Sequence, residues 1–155
     1  MTRSSPLTFA PRGSTAEVES GTALAPKFDE NGVMAALATD WQTGEVLMLA
    51  WMDAQALALT IETGLAHFYS RSRRRVWKKG EESGNVLEVI EMRTDCDQDA
   101  VWMKVRLRGL GAACHTGHRT CFYRRIEVGR ASPTALEPAG TPRVFDPATV
   151  YGAKA

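Results

Sequence analysis

Residues 44–64, GEVLMLAWMDAQALALTIETG, indicate the fold class more clearly than any other part of the chain. Glu45–Met52 is apolar at nearly every position, a pattern typical of a β-strand that is covered on both faces. Asp53 follows, where a helix N-cap belongs, and Gly64 lies where a helix commonly ends in the left-handed conformation. Between them runs one apolar stripe at helical spacing: Ala54, Leu57, Ala58 and Ile61. The sequence therefore predicts a strand followed by a short helix over residues 54–63.

Further strands are predicted on both sides of this unit. The candidate segments are residues 33–38, 65–70, 86–94, 101–108 and 121–128. In Val101–Arg108, apolar residues alternate with Trp, Lys and Arg, which is typical of a half-buried strand. We therefore expect a β-dominated α+β fold, in which a small, mostly antiparallel or barrel-like sheet is accompanied by one short helix.

The chain has 155 residues, enough for one domain with a core of its own. Residues 1–26 are rich in Ser, Thr, Pro, Gly and Ala and show no periodicity, so we predict a mobile N-terminal tail. The folded domain is expected over residues 27–128. An irregular extension that contains Pro and Gly is expected over residues 129–155.

Composition and charge disfavour several classes of protein. The formal net charge is only +1, so the chain lacks a global field that would attract a polyanion. No apolar run approaches the roughly 18–20 residues that a membrane span needs, and the N-terminus lacks the apolar region of a signal peptide. Three cysteines cannot all pair within one chain, which disfavours a disulfide framework. We therefore predict a cytoplasmic protein without membrane contact, whose thiols are kept for a metal.

All three cysteines lie between residues 95 and 121: Cys96, Cys114 and Cys121. Thiolates favour zinc, and three protein ligands leave a fourth position open, as in catalytic zinc sites. His115 and His118 are candidate general bases for a water molecule there. Either histidine could instead complete a structural site with three cysteines and one histidine.

Asp95, Asp97 and Asp99 surround Cys96. In an extended segment, side chains alternate between the two faces, so the three carboxylates would point one way and Cys96 the other. Hard carboxylate oxygens favour Mg²⁺, although a solvated acidic turn is an equally simple interpretation. Since Cys96 faces away, its thiolate is expected to meet the other cysteines across a different surface, such as that of a second chain.

The segment from residue 71 to residue 79 carries six cations. Arg forks and Ser hydroxyls suit phosphate oxygens, and a Trp offers a flat face for a ring. A solvated basic loop is the simpler alternative, and one short patch on a near-neutral chain makes nucleic acid an unlikely partner. The candidate substrate-binding residues are Arg71, Ser72, Arg73, Trp77 and Lys79.

Taken together, these motifs resemble the phosphoribosyl-AMP cyclohydrolase family of histidine biosynthesis, in its monofunctional form. The resembling stretches span roughly residues 33–125 and occur in the family's order. They are GEVLMLAWM at 44–52, YSRSR at 69–73, WKKGEESG at 77–84, DCDQDA at 95–100, CHTG at 114–117 and CF at 121–122.

The resemblance implies an intertwined homodimer with zinc sites at the subunit interface. Cys96 would come from one chain and Cys114 with Cys121 from the other, and Mg²⁺ would be held by the aspartates at 95, 97 and 99. The implied reaction is hydrolytic opening of the purine ring of phosphoribosyl-AMP between N1 and C6, with His115 as the proton carrier. The product would be the phosphoribosylformimino-aminoimidazole-carboxamide nucleotide. An alternative from another class is a zinc-stabilised module that binds nucleic acid through residues 71–79.

Overall fold

A computed structural model describes residues 7–129 and 135–152 of the chain. The parts of the predicted tail and extension at residues 1–6, 130–134 and 153–155 lie outside the described residues. The strands are β1 (Met34–Asp40), β2 (Val46–Met52), β3 (His67–Ser70), β4 (Arg75–Lys78), β5 (Leu87–Thr94), β6 (Ala100–Leu107), β7 (Arg124–Ile126) and β8 (Leu136–Pro138). The helices are α1 (Thr15–Ser20), α2 (Ala54–Thr63) and α3 (Pro147–Tyr151).

The main sheet has four strands in the order β2-β1-β6-β5. β1 runs antiparallel to β2 and parallel to β6, and β6 runs antiparallel to β5. Two separate hairpins, β3–β4 and β7–β8, are also antiparallel. A β-rich and mostly antiparallel fold is therefore confirmed. The barrel-like arrangement is wrong for the described residues, because β2 and β5 form the two edges of the main sheet and do not pair with each other.

The core lies on one face of this sheet. Met34, Ala36 and Ala38 of β1 are buried, as are the apolar residues at alternate positions of β6. This period of two confirms the half-buried strand predicted for β6. α2 and β3 cover the face, and Phe68 of β3 is fully buried within it.

The bounds of α2 agree with the prediction at both ends. The Asp53 carboxylate accepts a hydrogen bond from the Ala56 N–H at 2.8 Å, and Gly64 ends the helix at φ 69°. The buried face differs from the predicted stripe, since it consists of Ala56, Leu57 and Thr60 while Ile61 is exposed. The reason is tertiary, because the Thr60 hydroxyl accepts a hydrogen bond from the backbone N–H of β3 at His67 (2.9 Å).

The prediction that β2 is covered on both faces is wrong for a single chain. β2 is an edge strand, and Val46 and Leu49 are 39% and 50% exposed. Periodicity alone does not reveal whether an apolar strand is covered by its own chain or left open to another. β2 therefore presents an apolar surface outward.

Three expectations about the remaining segments also need correction. The described part of the predicted tail contains α1, whose capping box joins Ser14 and Glu17, so residues 15–20 are helical. The basic segment, for which a solvated loop was the simpler alternative, contains β4. The described part of the C-terminal extension contains β8 and α3, so α2 is not the one helix. All these elements are too short to show a clear hydrophobic periodicity in the sequence. Tertiary contacts, rather than local propensity, stabilise them. The domain boundaries at residues 26/27 and 128/129 remain predictions.

None of the described helices is both long and apolar enough to cross a bilayer.

Candidate active site

The acidic hairpin, Asp95–Asp99, is the turn between β5 and β6. The Gln98 N–H donates to the Asp95 carbonyl at 3.2 Å, and Gln98 has φ 58°. The turn brings one carboxylate oxygen each of Asp95, Asp97 and Asp99 within 4.8 Å of one another. The three side chains are thus gathered as expected. The expected cause, an extended chain, is wrong, because a tight turn gathers them.

The pKa of Asp99 reflects the crowding of negative charge in the acidic hairpin. The hydrogen bond with the Asp95 carboxyl group raises the Asp99 pKa above its usual value of 3.8, and desolvation and the charges of Asp97 and Asp95 act in the same direction. The Asp95 Oδ1 atom also accepts from the backbone N–H of Asp99 and of Ala100, each at 3.1 Å. A hard divalent cation would relieve this repulsion, so the donor set fits Mg²⁺.

The N-terminal segment, residues 7–27, is bound to the back of the acidic hairpin. The buried Gln98 amide accepts from the Ala25 N–H at 2.8 Å and donates to the carbonyl groups of Val18 and Ala23. The Arg12 guanidinium bridges the Ala25 and Asp97 carbonyl groups at 2.6 Å and 3.0 Å. These bonds join residues far apart in sequence and stabilise the position of the hairpin.

The cysteine loop, Ala113–Cys121, is closed by the hydrogen bond from the Ala113 N–H to the Arg119 carbonyl at 2.9 Å. The Arg119 guanidinium donates to Asp40 and Glu45, each at 2.8 Å. The Cys121 N–H donates to the Leu47 carbonyl at 2.8 Å. The loop is thus bound to the end of β1 and the start of β2.

Cys114 and Cys121 lie side by side in this loop. A hydrogen bond from the Cys121 thiol lowers the Cys114 pKa to about 5, and the same bond raises the pKa of Cys121. The Thr116 hydroxyl donates a second hydrogen bond to the Cys114 sulfur at 3.0 Å. Both hydrogen bonds favour the thiolate form of Cys114, and the two neighbouring sulfurs are a donor pair suited to a soft metal such as zinc.

The two histidines of the loop differ in how their side chains are held. His118 Nδ1 lies 2.9 Å from the Thr116 hydroxyl, and its ring is stacked on Tyr123 with centroids 3.7 Å apart. This ring nitrogen is therefore engaged by the Thr116 hydroxyl group. His115 is exposed and lines the cavity described below. Of the two, His115 is the better placed for proton transfer.

Cys96 lies apart from this pair. It is exposed on the acidic hairpin, at the end of the sheet where β6 begins, whereas Cys121 is bound to the first half of β2. Among residues 7–129 and 135–152, the aspartates are the only group of three or more metal-ligating side chains gathered within 4.8 Å. Within one chain, the thiols of Cys114 and Cys121 are therefore neighbours, whereas the thiol of Cys96 lies on the separate acidic hairpin.

The basic segment forms the turn and the second strand of the hairpin β3–β4, which we call the basic hairpin. Its turn carries Arg71, Ser72 and Arg73. The Arg71 guanidinium lies 4.7 Å from the ring centroid of Trp51, a cation–π contact that positions it. The Arg73 N–H donates to the Ser70 hydroxyl at 3.2 Å, which shapes the turn. Trp77, on β4, packs against Phe68 with ring centroids 5.3 Å apart.

One open cavity of about 800 Å³ lies between the hairpin β3–β4 and the cysteine loop. All five predicted substrate-binding residues line it, together with His115 and Cys121. Lys79 has a particular place, because it is buried and lies close to both thiols of the cysteine loop. Burial lowers the Lys79 pKa, and the negative charge of the thiols opposes that change. Its ammonium therefore lies beside the sulfurs rather than at the tip of the basic hairpin.

Sequence reasoning missed several residues that line or support the cavity. Trp51 lies within a quoted motif, but its contact with Arg71 joins residues that are distant in sequence. Thr116 lies between the histidines, and its two polar contacts depend on the turn of the loop. Tyr151 lines the cavity from the C-terminal extension, where no motif marks it.

Comparisons with known proteins identify the family of the chain. Residues 48–123 match the family described as phosphoribosyl-AMP cyclohydrolase. A protein of that name from Sinorhizobium fredii is 56% identical over 151 residues, which cover 96% of this chain and 97% of the relative. Another from Rhodopseudomonas palustris is 55% identical over 88% of this chain and 89% of its own length. One from Agrobacterium fabrum is 52% identical, with 94% and 96% covered. The chain therefore belongs to the phosphoribosyl-AMP cyclohydrolase family.

Proposed function

We propose that the protein is a cytoplasmic enzyme of histidine biosynthesis that opens the purine ring of 1-(5-phosphoribosyl)-AMP by hydrolysis. Water adds to C6 and the bond between N1 and C6 breaks, so that C6 becomes the carbon of a carboxamide and a proton is transferred to N1. One observation carries the proposal. A single cavity of about 800 Å³ is lined at once by arginines, by an aromatic ring, by a free histidine and by a thiol.

The basic hairpin binds and orients the substrate. Arg71 and Arg73 offer guanidinium forks for phosphate oxygens, and Ser72 offers a hydroxyl. The contact of Arg71 with Trp51 fixes this guanidinium before the substrate arrives, which lowers the entropy cost of binding. Trp77 presents a flat face on which a heterocycle packs.

His115 moves the proton. It is exposed to the cavity that also contains Cys121, so an imidazole nitrogen can take a proton from the attacking water and return it to the leaving nitrogen. His118 keeps its ring against Tyr123 and Thr116, and we assign it a positioning role within the loop.

Zn²⁺ and Mg²⁺ are the proposed cofactors. Cys114, Cys121 and Cys96 would hold zinc, and the carboxylates of the acidic hairpin would hold Mg²⁺. Zinc supplies a Lewis acid that activates water near neutral pH. Lys79 beside the two thiols compensates their negative charge and so keeps this part of the cavity close to neutral.

A homodimer is proposed because one chain leaves the zinc ligands divided. Cys96 and Cys121 are both exposed. Leu49 of the apolar edge strand β2 lines the cavity that also contains Cys121. Leu49 is half exposed in one chain, and a second copy would cover it. Cys96 of one protomer would then complete the site formed by Cys114 and Cys121 of its partner.

The first experiment measures turnover of phosphoribosyl-AMP by its absorbance change, with and without a zinc chelator. We expect turnover that the chelator abolishes and added zinc restores. Absence of turnover, together with salt-sensitive binding of an oligonucleotide, would support a nucleic-acid-binding module instead.

The His115→Ala variant tests the proton carrier. Loss of a general acid–base typically lowers kcat by about 10²–10⁴-fold, and zinc content per chain should stay unchanged. The matched control, His118→Ala, should lose far less turnover. The opposite ranking of the two variants would transfer the role to His118.

The Asp97→Asn variant tests the acidic hairpin. Removing one negative ligand should raise the Mg²⁺ concentration for half-maximal activity on the order of tenfold. Direct titration with Mn²⁺ should show the same weakening. A titration that overlays the wild type would remove Asp97 from the ligand set.

Shared zinc sites are tested by mixing two inactive variants, Cys96→Ser and Cys114→Ser, and allowing their chains to exchange. A mixed dimer would regain one intact site of its two, so random pairing should restore about a quarter of wild-type activity. If all three thiols belonged to one chain, mixing would restore none.

A further inference from the structure

The C-terminal segment, residues 143–152, lies outside the matched range 48–123, but it packs directly on the cysteine loop. The Val144 N–H donates to the Gly117 carbonyl at 2.7 Å, and His118 pairs with Arg143 in an isolated β-bridge. The approach is so close that a Cβ atom on Gly117 would lie 2.0 Å from the Phe145 carbonyl oxygen. The segment is therefore held against the loop that carries Cys114 and His115.

This attachment brings a tyrosine to the cavity. The Asp146 carboxylate caps α3 by accepting from the Ala148 N–H at 3.0 Å, and Pro147 starts the helix. Tyr151 is the last residue of α3, half-buried, with its ring centroid 6.3 Å from that of Phe145. Tyr151 lines the same cavity as Arg71 and His115. Within the described part of the chain, no hydrogen bond engages its hydroxyl group.

We propose that Tyr151 is a substrate-binding residue and that the C-terminal segment forms the wall of the cavity that holds it. The ring offers a flat apolar face, and the hydroxyl offers a donor to a phosphate or ribose oxygen of the substrate. The inference rests on the proposed function, since it assigns a contact within that same site. It adds to the site a residue that lies beyond all the motifs.

The experiment compares Tyr151→Phe and Tyr151→Ala with the wild type, by steady-state kinetics on phosphoribosyl-AMP and by calorimetric titration with AMP. Loss of the hydroxyl alone should raise KM about 3- to 10-fold, the value of one hydrogen bond. Loss of the ring as well should raise KM by a further factor of about 2 to 10, with kcat changed less than KM. The affinity for AMP should fall in the same order.

Tyr123→Phe is the matched control, because Tyr123 stacks on His118 and does not line the cavity. Its KM should equal that of the wild type. Unchanged KM and AMP affinity in both Tyr151 variants of an active enzyme would overturn the proposal. A wild-type protein without turnover would instead overturn the proposed function, so the two failures are distinguishable. Thermal unfolding of each variant shows whether a change in KM reflects loss of folding, and Tyr151→Phe keeps the ring packing in any case.

Discussion

The acidic hairpin and the cysteine loop carry the proposed ligands for two different metals, and the donor groups of each are brought together in a different way. The acidic hairpin gathers its three carboxylates by hydrogen bonds within one turn. The cysteine loop is placed by distant partners: Asp40 and Glu45 hold Arg119, β2 holds Cys121, and the C-terminal segment covers Gly117. A local turn therefore assembles the hard ligands, whereas the soft ligands depend on the whole domain.

The two regions also differ in how many of their proposed metal ligands a single chain brings together. The three aspartates meet within one chain, but only two of the three thiols do. The third thiol, Cys96, belongs to the acidic hairpin itself. A substitution that distorts the acidic hairpin should therefore also weaken zinc binding at the proposed site. A substitution in the cysteine loop should leave cation binding by the three aspartates unchanged. Variants that affect one region and not the other test this asymmetry.

The largest effect is expected for Cys114→Ser. Outer-sphere substitutions at metal sites already cost about 10–100-fold, so loss of a thiolate ligand should lower activity by at least about a hundredfold. Zinc per chain, measured by elemental analysis, should fall to near zero. The Mn²⁺ affinity of the acidic hairpin should not change. Unchanged zinc content would refute the ligand assignment, and a weakened Mn²⁺ titration would refute the independence of the hairpin.

Arg119→Met should destabilise the protein by about 2–3 kcal/mol in denaturant unfolding, because it leaves a nearly buried Asp40 carboxylate without its charged partner. Arg108→Met is the control, since Arg108 pairs with Glu88 at an exposed surface and should cost less than about 1 kcal/mol. Equal losses in the two variants would show that Arg119 does not anchor the cysteine loop.

Gln98→Ala should cost about 1–2 kcal/mol, since it leaves the Ala25 N–H and the Val18 carbonyl without their partner. Hydrogen exchange should speed up in residues 7–27 and in the acidic hairpin. Exchange in the cysteine loop should be unaltered. Faster exchange in both loops would mean that the N-terminal segment supports the whole domain rather than the hairpin.

The smallest difference is expected between two glycine variants, Gly117→Ala and Gly111→Ala. Both glycines have positive φ, 88° and 79°, so both variants carry the same backbone strain. Only a Cβ on Gly117 meets another segment, 2.0 Å from the Phe145 carbonyl oxygen, so the C-terminal segment must move and lose the hydrogen bond from the Val144 N–H to the Gly117 carbonyl. The Gly117 variant should therefore be destabilised by at least about 1 kcal/mol more than the Gly111 variant. Equal midpoints in urea would mean that the C-terminal segment adds nothing to the stability of the cysteine loop.

Local patterns in the sequence were sufficient for part of the fold. Residues 45–63 were predicted as strand and helix because apolar periodicity and the caps at Asp53 and Gly64 depend only on near neighbours. The alternation in β6 was recognised for the same reason. The types of ligand were equally visible, since thiolates and carboxylates are chemical properties of the residues themselves.

The position of each part was decided by contacts between distant residues. No local pattern shows that Gln98 binds the N-terminal segment, that Lys79 lies beside the thiols, or that Tyr151 reaches the cavity. β4, α1 and α3 are too short for propensity to specify, and packing stabilises them. Side-chain chemistry follows from residue identity. Which distant side chains come into contact depends on the free energy of the whole folded chain. Local sequence segments, taken one at a time, therefore do not predict these contacts.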